Sequence, residues 1–175
     1  LARSALLDAA ARGDVPTFQI IGAQTARLSE PKDMSGIKPF PGDLVSAGGL
    51  LQVSGRGNRW DTPETHWGIL GEHGGRCHTD NGASFIAVRL EHHTEITGIV
   101  IQNITGGQAG RAAGSRVEIS TDGETWEQVG VLKGTKRFYT LDLEAKKHRA
   151  LWVRMAKDTN CLHVTRFLVW GHRRS

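Results

Sequence analysis

Ser115-Arg-Val-Glu-Ile-Ser-Thr-Asp-Gly-Glu-Thr-Trp126, continuing as Glu127-Gln-Val-Gly-Val131, is the stretch whose reading decides the fold. Val117 and Ile119 point to one side while Arg116, Glu118 and Ser120 point to the other, the period of a strand with one face in a core. Asp122-Gly123 supplies the pair that a tight type I′ turn needs, and Trp126, Val129 and Val131 return the apolar residues on a second strand. The stretch is a β-hairpin. Upstream, Ile96-Thr-Gly-Ile-Val-Ile-Gln102 is a buried run leading into a Gly/Ala/Arg loop.

Working outward, Ile86, Val88 and Leu90 alternate with Phe85, Ala87 and Arg89. Downstream come Tyr139, Leu141 and Leu143, then Leu151, Val153 and Met155, then a run over 162–170 that is apolar on both faces and stops at Gly171. Strands at this spacing, joined by turns rather than helices, imply an all-β fold: an antiparallel jelly-roll sandwich. Residues 44–175 form that domain. Residues 1–43 precede it as a short N-terminal helix (Ala2, Ala5, Leu6, Ala9 and Ala10 at helical spacing, Gly13 as stop) and a lead-in holding Pro16, Pro31, Pro39 and Pro41, with an early strand over 17–23. The helix is expected to join a preceding domain. A strand broken at Gly48-Gly49 spans 44–53, and a long irregular segment over 54–80 carries Trp60, Trp67 and many glycines; a loop of that length is usually functional.

Composition excludes several classes. The 175 residues are 38% hydrophobic and 23% charged, which suits one packed domain and neither disorder nor a membrane span. The excess of 22 Lys and Arg over 18 Asp and Glu is scattered rather than clustered, so no nucleic-acid footprint is read from it. The catalytic motifs are missing too: no His-Glu-x-x-His, no Gly-x-Ser-x-Gly elbow and no phosphate-cradling loop. Cys77 and Cys161 each precede a predicted strand and are the disulfide candidate, pointing to an exported protein if the strand starts are neighbours; two buried free thiols fit the spacing as well.

The ordered set His78-Thr-Asp-Asn, Phe85-Ile-Ala-Val-Arg-Leu90, Ile96-Thr-Gly-Ile-Val-Ile-Gln-Asn103, Arg111-Ala-Ala-Gly, the Val117 to Trp126 hairpin, Leu151-Trp-Val-Arg154 and Phe167-Leu-Val-Trp-Gly171 resembles the discoidin domain. This domain, also called the coagulation factor V/VIII type C domain, belongs to the galactose-binding-like superfamily. The resemblance covers residues 44–171 and implies an eight-stranded jelly roll that binds sugars, phospholipid head groups or proteins through loops at one end. Bacterial members are often appended to secreted glycoside-processing enzymes. It therefore implies a non-catalytic, extracellular or periplasmic carbohydrate-binding module whose partners are a glycan and the rest of its own polypeptide. The alternative is a structural domain packed on its parent enzyme without a ligand of its own. Sugar-binding members often hold calcium through loop carbonyls and a Glu before the last strand. Here His163-Val-Thr-Arg166 puts a cation in that place, so no cofactor and no metal are expected.

A pyranose presents an apolar C–H face and a rim of hydroxyls, so its site needs an aromatic ring and planar hydrogen-bonding groups. Trp60, His66 and Trp67 in one loop, with Asn103 and Arg111 flanking another, are the expected ligand-binding residues. They form a platform if both loops emerge at the same end. His78 and His163, beside strand starts, read instead as core-edge residues. For a lipid surface the only apolar spike is Ile37-Lys-Pro-Phe40, and a membrane partner is not expected.

Overall fold

A computed structural model describes the backbone of residues 17–21 and residues 33–54 and 68–174 in full. The helix expected over 1–12 and the residues Trp60, His66 and Trp67 lie outside the described residues. The ten strands are β1 (Thr17–Ile21), β2 (Asp43–Leu44), β3 (Leu50–Ser54), β4 (Cys77–His78), β5 (Ser84–Asn103), β6 (Arg116–Ser120), β7 (Glu127–Val131), β8 (Phe138–Asp142), β9 (Arg149–Lys157) and β10 (His163–Arg173). All their pairings are antiparallel. The fold is the all-β sandwich that the alternating pattern implies.

β5 organises it. Its first part pairs with β3 and β9, extending one sheet in the order β1-β3-β5-β9-β6-β7. Its second part pairs with β8 and β10, and β10 also takes β2 and β4. The two runs read from sequence as separate strands are thus one strand of 20 residues. A register shift between Arg89 and Thr94 marks where it passes from sheet to sheet. The faces turned toward each other supply the main core: Leu51, Val53, Ile86, Val88, Leu90, Ile99, Ile101, Val117, Val153, Met155 and Phe167 are among its fully buried members.

The double-sided apolar pattern of β10 has a separate cause. Phe167 and Val169 enter the main core, while Leu168 and Trp170 face out and join Val100 and Ile37 in a second cluster. The Pro-rich lead-in lies over that outer face as a strap: Met34, Phe40 and Leu44 pack on the cluster, and the Phe40 ring meets Trp170 at 6.0 Å and 56°. Gly98 lies directly beneath Phe40, where any Cβ would enter the ring, and Thr97 Oγ1 donates to the Pro41 carbonyl at 2.6 Å. Full burial of such an apolar side chain contributes about 1.5–3 kcal/mol, and the half-buried Met34, Phe40 and Leu44 supply part of that each, which holds the strap in place with little regular structure of its own. Ile37 and Phe40, the only apolar spike for a lipid surface, are therefore turned into the protein. Among the described residues no helix is long and apolar enough to cross a membrane.

Two local expectations are corrected. Asp122-Gly123 does not form a type I′ turn, which requires positive φ at both residues: Gly123 has φ +81°, but Asp122 is not in that region. The connection between Ser120 and Glu127 is six residues long, and the Asp122 carboxylate shapes it by accepting the backbone N–H groups of Glu124 and Thr125, both at 2.8 Å. This is the Asx-type alternative to a two-residue turn. Cys77 and Cys161 are buried and are not joined in a disulfide. Cys77 pairs with Val164, three residues beyond Cys161. At about 3.3 Å per residue that offset is roughly 10 Å, beyond disulfide reach.

The turn makes a pH prediction. The N–H groups of Thr125 and Glu124, with the Ser120 hydroxyl, hold the Asp122 carboxyl down at about 2 from its ordinary 3.8. The folded value lies below the unfolded one, so the contribution is present above pH 3.8 and is lost as pH falls through about 2. Asp122→Asn is expected to lower Tm at neutral pH, with the gap to the parent protein closing across that acid window. A gap that stays constant in pH-dependent calorimetry would show that the carboxylate charge is not what holds the turn.

Candidate functional site

The strand registers bring several chain ends together. β5 ends at Asn103 opposite Val164 near the start of β10. β4 lies beside that start, with His78 opposite His163. β9 ends at Lys157 opposite Ser84, and β6 begins at Arg116 opposite Ala156. The Ser54 hydroxyl, at the end of β3, accepts the Phe85 N–H at 2.9 Å, so β3 too ends at this rim; Trp60, His66 and Trp67 lie outside the described residues. The loops 104–115, 132–137 and 158–162 and the stretch 72–76 all open onto this rim.

Each loop is fixed by specific bonds. The Asn103 side chain, expected to meet ligand, is buried and committed: its Nδ2 donates to the carbonyls of Ala109 (2.7 Å) and Lys136 (3.0 Å), and its Oδ1 accepts the Ile104 N–H. It ties two rim loops together. The short 3-10 turn Ala109–Ala112 is secured from below by Lys157, whose Nζ donates to the carbonyls of Arg111 (2.9 Å) and Ala113 (2.6 Å), a cation placed where orphan carbonyls collect.

That turn presents Arg111 at the rim. Its Nη1 donates to Gln108 Oε1 at 2.7 Å and lies 3.1 Å from His78 Nε2. When the second bond is made, His78 accepts on Nε2 and its own proton sits on Nδ1. Both Nη1 hydrogens are then used, which leaves Nε and Nη2 as donors with no partner among the described residues. His78 in turn meets the His163 ring edge-on at 4.9 Å between centroids. The two histidines read as core-edge residues thus belong to the same rim constellation as Arg111 and Gln108. The pairing of His78 with His163 depends on the β4–β10 register, which no local signal in either segment announces.

Two depressions adjoin this constellation. The larger, about 440 Å³, is open and is lined by Arg76, Ile104, Thr105, Gly107, Gln108, His163 and Thr165. Its volume falls in the range of about 300–1,000 Å³ usual for small-ligand sites. The smaller, about 160 Å³, is bounded by Gln102, Asn103, Arg137 and Arg166 and by glycines 74 and 75, and it shares Thr105 and Thr165 with the first. Together they offer hydroxyls, amides and guanidinium groups on a frame whose backbone is already bonded, the inventory for a polyhydroxylated ligand.

Arg166 sets the floor of the smaller depression. It is 3% exposed, and its guanidinium donates to Gln102 Oε1 (2.6 Å) and to the carbonyls of Glu72 (2.7 Å) and Asp33 (3.2 Å). Gly74, at φ +66°, lies so close that a Cβ would press on the guanidinium at 3.0 Å. The oxygens at the start of the last strand are therefore gathered around a side-chain cation. A calcium ion there would face a positive charge, so these residues do not fit one. Among the described residues no group of three His, Cys, Asp or Glu could hold a metal.

Comparison with known proteins agrees with this geometry. The family model described as F5/8 type C domain matches residues 50–162. Among solved structures, the chain is similar to the lectin-binding domain of lectinolysin, a His 62 mutant complexed with Lewis b. That match has a TM-score of 0.63 at 14% identity and covers 78% of this chain and 100% of that one. It is similar to CpGH89CBM32-5 from Clostridium perfringens, in complex with GalNAc-beta-1,3-galactose, at a TM-score of 0.60 and 13% identity over 73% of this chain and 99% of that one. A Streptococcus pneumoniae fucose binding module matches at 0.51 and 16% over 90% and 91%. No curated protein matches the sequence. At these identities the structural likeness speaks for the fold alone.

Proposed function

The chain belongs to the F5/8 type C domain family, and on that premise we propose that it is a non-catalytic glycan-binding module whose ligand sits on the rim. The observation that carries this reading is the open depression beside Arg111, Gln108 and His163. Arg111 and Gln108 are held against each other before any ligand arrives, which lowers the ordering cost left to binding. The three similar structures are named for fucose, Lewis b and GalNAc-galactose binding, which supports a sugar over other loop ligands of the family.

Binding proceeds by hydrogen bonding and stacking, with no bond broken. Arg111 donates from Nε and Nη2 to sugar hydroxyls while Gln108 and His78 hold its plane. Trp60 and Trp67 are the proposed stacking rings and His66 a further donor, on the segment that follows Ser54. The module is proposed to hold a larger extracellular or periplasmic protein, in a bacterium, against its glycan. The domain proper is taken as 44–175 with 1–43 as lead-in, and no cofactor is assigned.

One small, open site implies weak affinity, on the order of micromolar to millimolar. Isothermal titration against fucose-, galactose- and N-acetylgalactosamine-containing oligosaccharides is expected to find a binder in that range. Arg111→Ala and Trp60→Ala are each expected to weaken it about tenfold, equivalent to 1.4 kcal/mol. Absence of binding to every glycan at millimolar concentration, or binding that neither substitution touches, would remove the reading and favour a domain that only packs on its parent.

A further inference from the structure

We infer that the rim is built for an acidic glycan, and that the two adjoining depressions receive a carboxylate or sulfate group on the sugar beside Arg137. This inference rests on the glycan reading above and names the class of sugar. The described residues lining the two depressions include Arg76, Arg137, Arg166 and His163, and no Asp or Glu is among them. A neutral pyranose needs hydrogen-bonding groups of mixed kind. The exposed guanidinium fork of Arg137 instead matches the planar, charged acceptors of a carboxylate or sulfate.

Elsewhere in the described molecule several arginines are set against carboxylates, although the exposed Arg89 and Arg149 on the sheet surface are not. On the outer face of the β9–β6 sheet, Arg116 meets both Glu118 and Asp158 at 3.1 Å, and Arg154 meets Glu118 at 2.6 Å. At the end opposite the rim, Arg173 pairs with Glu91 and Arg174 with Glu95. Arg137 has no such partner among the described residues. It is exposed, and its guanidinium lies 5.5 Å from the centroid of the Phe138 ring, a contact that orients the group and leaves its charge uncompensated.

Arg166 stands on the same depression, and the two like charges oppose each other there. Burial lowers the Arg166 value first, and the nearby Arg137 lowers it further, against the pull of Asp33 and Glu72 in the other direction. An anion between the two arginines relieves that repulsion. Thr105 and Thr165, shared by both depressions, are then placed to bond the sugar's remaining hydroxyls.

The test titrates the protein and its Arg137→Gln variant with a galacturonate oligosaccharide, a sulfated galactose oligosaccharide and the neutral galactose oligosaccharide, at low and at physiological salt. At least one acidic sugar is expected to bind about tenfold tighter than the neutral one, with the advantage shrinking as salt rises. Arg137→Gln is expected to weaken the acidic sugar far more than the neutral one, so that the advantage disappears, and to leave Tm unchanged, since the side chain is exposed. Which acidic arm binds tells carboxylate from sulfate. If the neutral sugar binds as well or better and Arg137→Gln changes nothing, the acidic preference is overturned while the glycan reading stands. If no sugar binds at all, both fall.

Discussion

Replacing Phe167 with Ala is expected to destabilise the protein by about 3–5 kcal/mol, the usual cost of removing a buried aromatic ring. Phe167 is fully buried and is among the largest such side chains. It sits in β10 opposite Ile101 of β5, and its N–H donates to the Ile69 carbonyl at 2.6 Å. The ring therefore fills the core at the point where the last strand, the two-sheet strand and the segment after residue 67 meet. Against a typical domain stability of about 5–15 kcal/mol this is a large share. At about 2–4 °C per kcal/mol for a chain of this size, the fall in Tm should be on the order of 10 °C. Urea denaturation monitored by tryptophan fluorescence measures it directly. A loss under about 1 kcal/mol would mean that this part of the interior is not packed as described.

The second large effect is expected at Arg166. Arg166→Met keeps much of the volume but deprives Gln102 Oε1 and the carbonyls of Asp33 and Glu72 of a shared donor. Leaving a buried acceptor unmatched costs about 1–3 kcal/mol, and more where the lost donor was charged. Relaxation and entering water recover part of the sum, so a net loss of about 2–4 kcal/mol is expected. The more specific outcome is local. The stretch around Glu72 and the strap around Asp33 are both moored to this guanidinium, so limited proteolysis should cut them earlier in the variant than in the parent. Arg166→Lys should restore little, because an ammonium cannot span three oxygens with the planar fork. Equal proteolysis of parent and variant would show that Arg166 is passive filling.

These two residues also show what the sequence could and could not disclose. The inward set of the sandwich was legible because strand periodicity is local: Val117 with Ile119, and Ile86 with Val88 and Leu90, declare their faces within a few residues. The outward set was not. Leu168 and Trp170 look like noise in the pattern until the strap is laid over them, and only Gly98, making room for Phe40, hints at the cover. The Asp122-Gly123 pair misled because the Asp side chain can replace a backbone turn, and local sequence does not separate the two outcomes. Cys77 and Cys161 share their approach to a strand start, but the register that sets them three positions apart is a long-range fact.

The site divides in the same way. Arg111 stood out as a cation in a Gly/Ala loop leaving a central strand, and the rim does present it. Asn103 stood out for the same reason, yet its amide is absorbed in joining the 104–115 and 132–137 loops. Gln108, His163, Thr165 and Arg137 join the constellation through strand pairing and loop closure, which no spacing rule conveys. His78 carried the wrong emphasis: a histidine beside a strand start is usually structural, and here it supports the arginine that faces outward.

One feature of the frame bears on how such a molecule carries tension. The second part of β5 and β10 both span from the rim to the opposite end, where Arg174 meets Glu95 and His93, and they are bonded to each other over most of that length. Antiparallel hydrogen bonds lie across the strands. A pull between the rim and the far end is therefore directed along both strands, loading many bonds at once in shear rather than peeling them one after another.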